Sequence, residues 1–166
     1  MQTLSFTQNS NIILPLLLAL PKQYELLSIL CDAGGSMMMA HRSCAEPLFD
    51  QLTDMVSITR VDHINILIFD DQPIFCNQYT KQEFIDSTED AHFYGGSGNG
   101  DISQAFAFLN HPVPYCPPSA AEGSRPLYRR TDKSPIILIT DEWWNSDHAD
   151  EKLESFGDEL IVLEIS

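Results

Sequence analysis

Leu26-Leu27-Ser28-Ile29-Leu30-Cys31, followed at once by Asp32-Ala33-Gly34-Gly35-Ser36, is the stretch on which the fold turns. The first half is apolar on both faces toward its end, as a strand covered from both sides must be. The second half is a glycine-punctuated loop that begins with an acid. The pattern recurs in Ile64–Phe69, closed by Asp70, and in Ile136–Thr140, closed by Asp141. Between the first two runs, Ala45, Leu48, Phe49, Leu52, Met55 and Val56 form the stripe of an amphipathic helix. Pro47 belongs in its first turn, so the helix is expected to start near Glu46.

Working outward, Pro73–Gln78 reads as a short strand hairpinned to the one before it. Lys81–Ser87 reads as a helical turn or two capped by Thr80. A glycine-dense loop, Gly95 to Asp101, opens a helix marked by Ile102, Ala105, Phe106 and Leu109. An acidic helix is expected over Asp147–Phe156 and a last strand over Leu160–Ile165. Helices alternating with doubly covered strands predict an α/β domain. Its mainly parallel central sheet carries one antiparallel edge strand and has helices on both faces. Residues 1–22 read as an N-terminal extension whose first ten residues are unpatterned and loose, and 23–166 as the domain proper. For Asn11–Leu20, helix and strand both remain open, because so uniform an apolar run has no decisive period. Residues 111–132 hold five prolines and no periodicity, and about 112–132 is expected to be an insertion outside the packed layers.

The 166 residues are 43% hydrophobic, with 24 Asp+Glu against 9 Lys+Arg and a formal net charge of -15. Such an acidic balance disfavours nucleic acid and anionic membranes as partners and favours basic proteins or cations. The longest apolar stretch, Ile12–Leu20, is interrupted by Pro15 and is far shorter than the roughly 20 residues of a membrane span. It also lacks a basic leader segment, so a cytoplasmic protein is expected. The four cysteines, Cys31, Cys44, Cys76 and Cys116, have no paired spacing and read as buried thiols.

In an open α/β sheet, ligands bind beyond the carboxyl ends of the strands. Asp32 and Asp141 stand at two such ends, and Asp101 opens a helix that would reach the same rim. With hydroxyls at Ser36 and Ser97, these form a hard-oxygen set suited to Mg²⁺ or Mn²⁺. The competing reading is that the three acids only cap helices.

Asp32-Ala33-Gly34-Gly35-Ser36-Met37 resembles the Asp-x-Ser-Gly-Ser-Met motif of von Willebrand factor A (vWA) domains. The resemblance continues in order through Ile66–Asp70, Gly98-Asn99-Gly100-Asp101-Ile102 and Ile137–Asp141, and spans about residues 24–165. It implies a Rossmann-like vWA fold and a metal-ion-dependent adhesion site in which Asp32, Ser36 and Asp141 match ligand positions. Gly34 replaces a serine of that pattern and Gly100 a threonine, so the site is degenerate and its Mg²⁺ or Mn²⁺ binding weak. Ser97 or Asn99 would have to supply a substitute oxygen. Intracellular relatives commonly act as adaptors beside AAA+ ATPases, a partner class implied by the resemblance alone.

Met37-Met38-Met39 is either core or a pliable partner-binding rim. Trp143-Trp144, just past Asp141, reads as a contact pair, with one ring packed as core the competing view. Arg125, Arg129, Arg130 and Lys133 concentrate basic charge in the insertion, either solvated or docked on an acidic surface. The expected function is a non-enzymatic protein-interaction module. The alternative is an Asp- or Ser-dependent hydrolase or phosphatase in the same cleft. It is disfavoured because Ser36 lacks a Gly-x-Ser-x-Gly elbow and Gly34 stands where a phosphatase nucleophile at Asp32 would want a second acid.

Overall fold

The computed structural model describes residues 1–40, 42–87, 100–111, 113–118, 120–131, 133–141 and 159–166, with backbone alone for 38–40. The elements are β1 (Gln2–Phe6), α1 (Ile13–Ala19), β2 (Leu26–Asp32), α2 (Gly35–Ala40), a 3₁₀ turn (Arg42–Cys44) and α3 (Ala45–Ile58). After these come β3 (His63–Phe69), β4 (Pro73–Thr80), α4 (Lys81–Asp86), α5 (Ile102–Leu109), β5 (Ile136–Thr140) and β6 (Leu160–Ile165). The six strands form one sheet in the order β1-β6-β5-β2-β3-β4. All neighbours are parallel except β3 and β4, which pair antiparallel from His63↔Thr80 to Phe69↔Pro73. The expected edge hairpin is therefore present. The predicted acidic helix over 147–156 lies outside the described residues.

Period-two alternation sorts the strand side chains onto two faces. Leu27, Ile29, Cys31, Ile64, Ile66 and Ile68 pack with α1, α3 and α4. Leu30, Leu67, Phe69, Leu138 and Val162 pack with α5. Every residue of β2 is buried, which is why its sequence is apolar but for Ser28 and the closing Asp32. Packing, rather than capping, holds α3. Cys44 at its N-cap makes no side-chain cap bond, and a good cap contributes only about 1 kcal/mol. By contrast, burying Leu48, Phe49, Leu52, Met55 and Val56 contributes roughly 1.5–3 kcal/mol each. The six-residue α4 needs both devices. Thr80 and Glu83 form a reciprocal capping box, and Phe84 is buried in the core.

The N-terminus differs from expectation. Residues read as a loose extension form β1, which pairs in parallel with β6 from Gln2↔Ile161 to Phe6↔Ile165. Only Phe6 of that strand is buried, so an edge strand carried by backbone bonds left no apolar period to read. Asn11–Leu20 resolves as helix, because Ile12, Leu16 and Leu20 turn inward at i+4 spacing while Leu14 and Leu18 face out. Gln51 of α3 ties this segment down. Its Oε1 accepts from Ile12 N at 2.7 Å and its Nε2 donates to Ser10 O at 2.7 Å. Residues 1–22 thus belong to the same sheet and core as the rest of the chain.

The proline-rich insertion also packs more closely than its sequence suggests. It runs as a strap against β4, with Ala121 N donating to Ile74 O and Arg125 N to Cys76 O, both at 2.8 Å. The strap then crosses onto the α5 face. There Leu127 joins the core, and buried Asn65 clamps Tyr128, donating to its O at 3.0 Å and accepting from its N at 2.8 Å. Two of the insertion's cations dock on this chain's own groups. Arg125 bonds Asn77, Gln78 O and Glu83, while Arg130 bonds Ser134 O and Glu159. Among the described residues no helix is long and apolar enough to cross a membrane.

Candidate functional site

The sheet order places a topological switch between β2 and β5. The chain leaving β2 returns as β3 on one side, while the chain leaving β5 returns as β6 on the other. Loops diverge there and open a crevice at the strand carboxyl ends. Asp32 ends β2 at this point and is 1% exposed. A carboxylate so deep must be hydrogen-bonded. Its Oδ1 accepts from Gly34 N and its Oδ2 from Thr140 Oγ1, each at 2.8 Å. The register explains the second bond: Cys31 lies beside Ile139 in the parallel pair, so the next step along each strand brings Asp32 to Thr140.

Ser36, in the first turn of α2, donates its hydroxyl to Asp141 Oδ1 at 3.1 Å across 105 residues of sequence. Two hydroxyl–carboxylate pairs, Thr140–Asp32 and Ser36–Asp141, therefore stand at adjoining strand ends. The β3 end joins them through the backbone, Ala33 N donating to Phe69 O at 2.7 Å and Asp101 N to Asp70 O at 2.8 Å. Asp101 Oδ1 accepts from Gln104 N at 3.0 Å and so caps α5, as the capping reading expected. Gly100 lies flat against Asp32, and a Cβ there would overlap the carboxylate. Burial drives the neighbouring Cys31 thiol well above its ordinary range, with the Asp32 charge adding to the effect.

Negative charge accumulates beside the switch point. The Asp71 carboxyl is held above its usual range, first by a hydrogen bond with Asp70, then by the charge of Asp70, with Asp101 contributing last. A cleft of about 520 Å³ opens from this side. Asp71, Gln72 and Pro73 of the hairpin, Phe108 and His111 around α5, and Tyr115 of the strap are among its walls.

The structure thus brings Asp32, Ser36 and Asp141 to one rim, with Asp101 bonded into the same loop cluster. Met37 is corrected: it is fully buried in the core rather than available at the rim, because α2 turns it down between the sheet and α3. Ser97, Asn99, Trp143 and Trp144 lie outside the described residues. Thr140 was missed by the sequence analysis. Its only signal is a hydroxyl ending an otherwise aliphatic strand, next to a strand that ends in an acid.

Among the described residues no three acidic, histidine or cysteine side chains converge as a metal cluster. Hydroxyl and carboxylate oxygens are the donor type that a hard divalent cation retaining several waters takes. Asp32, Ser36 and Asp141 are the side chains that would hold it. Gly100, pressed on Asp32, leaves no room for another hydroxyl-bearing side chain at that position.

These features define an α/β domain with a mainly parallel sheet and an oxygen-rich switch point, the architecture that the vWA resemblance implies. The chain is similar in structure to an aerotolerance-related membrane protein from Bacteroides fragilis NCTC 9343, whose crystal structure carries multiple mutations to serines. The TM-score is 0.51 at 15% identity, covering 86% of this chain and 66% of that one. A conserved hypothetical protein, BatB, from Bacteroides thetaiotaomicron superposes with a TM-score of 0.48 at 17% identity, covering 86% of this chain and 65% of that one. The chain therefore spans just under two thirds of the length of each. No protein-family model matches the sequence, and neither does any curated protein.

Proposed function

We propose that this chain is a non-enzymatic protein-interaction module of the vWA-like kind, binding its partner at the rim where β2 and β5 end. The observation that carries the reading is the Ser36–Asp141 hydrogen bond beside the Thr140–Asp32 pair. It brings hydroxyl and carboxylate oxygens together at a switch point, which supports reading the rim as a degenerate metal-ion-dependent adhesion site. Asp32, Ser36 and Asp141 hold a weakly bound Mg²⁺ or Mn²⁺ in this reading, with Ser97 and Asp101 as further oxygen sources. A carboxylate of the partner completes the shell. Trp143 and Trp144, two and three residues after Asp141 in sequence, supply the apolar contact, since interface hot spots favour tryptophan. An AAA+ ATPase is the partner class the resemblance suggests.

The hydrolase alternative has less support. Asp32 is buried with both oxygens accepting hydrogen bonds, a poor state for a nucleophile. The test is a Trp143→Ala/Trp144→Ala double substitution, read by partner pull-down together with thermal unfolding. Loss of the partner with unchanged melting, a drop of roughly thirtyfold or more in affinity for a central tryptophan, is the expected result. A retained partner with a collapsed melting point would assign the rings to the core and remove them from the binding surface.

A further inference from the structure

We propose that Cys76 and Cys116 form a redox-modifiable pair that closes into an intramolecular disulfide, pinning the proline-rich strap to the sheet edge. Their sulfurs lie 4.0 Å apart although 40 residues separate them in sequence. The approach is built into the fold. Cys76 is a buried residue of the edge strand β4, while Cys116 is exposed in the strap. The strap is seated beside Cys76 by Arg125 N donating to Cys76 O and by Cys76 N donating to Ser124 Oγ. Bond formation requires the sulfurs to close to about 2.05 Å, a movement that side-chain rotation of the exposed Cys116 can supply. The other two cysteines, Cys31 and Cys44, are buried elsewhere in the core.

The two thiols have unequal roles. Exposed Cys116 meets a low-molecular-weight disulfide such as glutathione disulfide. Its thiolate attacks one sulfur, forming a mixed disulfide and releasing one glutathione thiolate. Cys76 then gives its proton to solvent and attacks the Cys116 sulfur, and the second glutathione leaves as thiolate. The protein loses two electrons and two protons, and the glutathione disulfide is reduced to two thiols. Burial, followed by the neighbouring Cys116, pushes the Cys76 thiol up to about 12, so it acts as the resolving rather than the attacking group. Cys116 sits between Tyr115 and Pro117, both of which wall the cleft beside Asp71. Closing the bond therefore fixes that wall as well as the strap.

The experiment treats the full chain with glutathione disulfide, alkylates the remaining thiols and maps the peptides by mass spectrometry. The expected result is loss of two of the four free thiols, with a Cys76–Cys116 linked peptide reversed by dithiothreitol. Cys76→Ser should accumulate a stable glutathione adduct on Cys116, and Cys116→Ser should keep Cys76 reduced. In the wild type, release of the second glutathione should quicken as pH rises, because Cys76 must shed its proton. An adduct on Cys116 that persists in the wild type, a link through Cys31 or Cys44, or a bond only between two molecules would each overturn the proposal.

Discussion

At the scale of single residues, the two glycines of the switch point are unequal despite their similar place in the resemblance. Gly34 gives its backbone N–H to Asp32 at 2.8 Å. Gly100 instead lies where any Cβ would strike that carboxylate. Position 34 is a serine ligand position in the resemblance, so adding an oxygen there should strengthen cation binding, while a side chain at position 100 should displace the ligand it was meant to assist. We predict that Gly34→Ser tightens Mn²⁺ binding about tenfold, or 1.4 kcal/mol. Gly100→Ser should weaken it or lower the melting temperature. Calorimetric titration of both variants checks this, and a gain at position 100 with none at 34 would reverse the assignment. The close approach of Gly100 to Asp32 was not legible in the sequence, because it is a contact between loops far apart in the chain.

At the scale of elements, what was legible followed from how each segment is held. β2, β3, β5 and β6 owe their place to apolar burial, which leaves a run in the sequence. α3 and α5 leave an i, i+3, i+4 stripe for the same reason, and α4 was readable from its Thr80 cap. β1 and the strap are held by backbone and polar contacts, and these leave no period. Asn65 shows the point most clearly. A polar residue inside His63–Phe69 looks like an interruption, yet it is buried and clamps both backbone groups of Tyr128. Asn65→Leu removes that clamp and leaves Tyr128 N and O without their partner. A fully buried polar group left unpaired costs about 1–3 kcal/mol; because Tyr128 is only half-buried, the variant should lose about 1 kcal/mol in urea unfolding. Trypsin should also cleave at Arg129 and Arg130 faster than in the wild type. Unchanged stability and cleavage would show that the strap is held without Asn65.

At the scale of the whole molecule, the net charge is -15, and Asp70, Asp71 and Asp101 bring three of its acids together beside the rim. The Asp71 carboxyl is raised by Asp70 above all. A folded-state pKa above the unfolded value of about 4 means the folded protein binds more protons in the interval between the two. This contribution to stability is fully present below the unfolded value and is lost as pH rises through the raised one. Asp71→Asn should therefore raise the melting temperature at neutral pH and leave it nearly unchanged below pH ~4. An equal gain at both pH values would point to something other than charge. The same field favours a cation at the neighbouring rim. Paramagnetic Mn²⁺ titrated into the isotopically labelled protein, followed by amide line broadening, locates any bound ion directly. Selective broadening is expected at Ala33–Met37, Gly100–Asp101 and Asp141, saturating in the weak range and abolished by Asp141→Ala. Uniform broadening, or broadening centred on Asp70 and Asp71 while Ser36 and Asp141 stay sharp, would contradict a cation site at this rim.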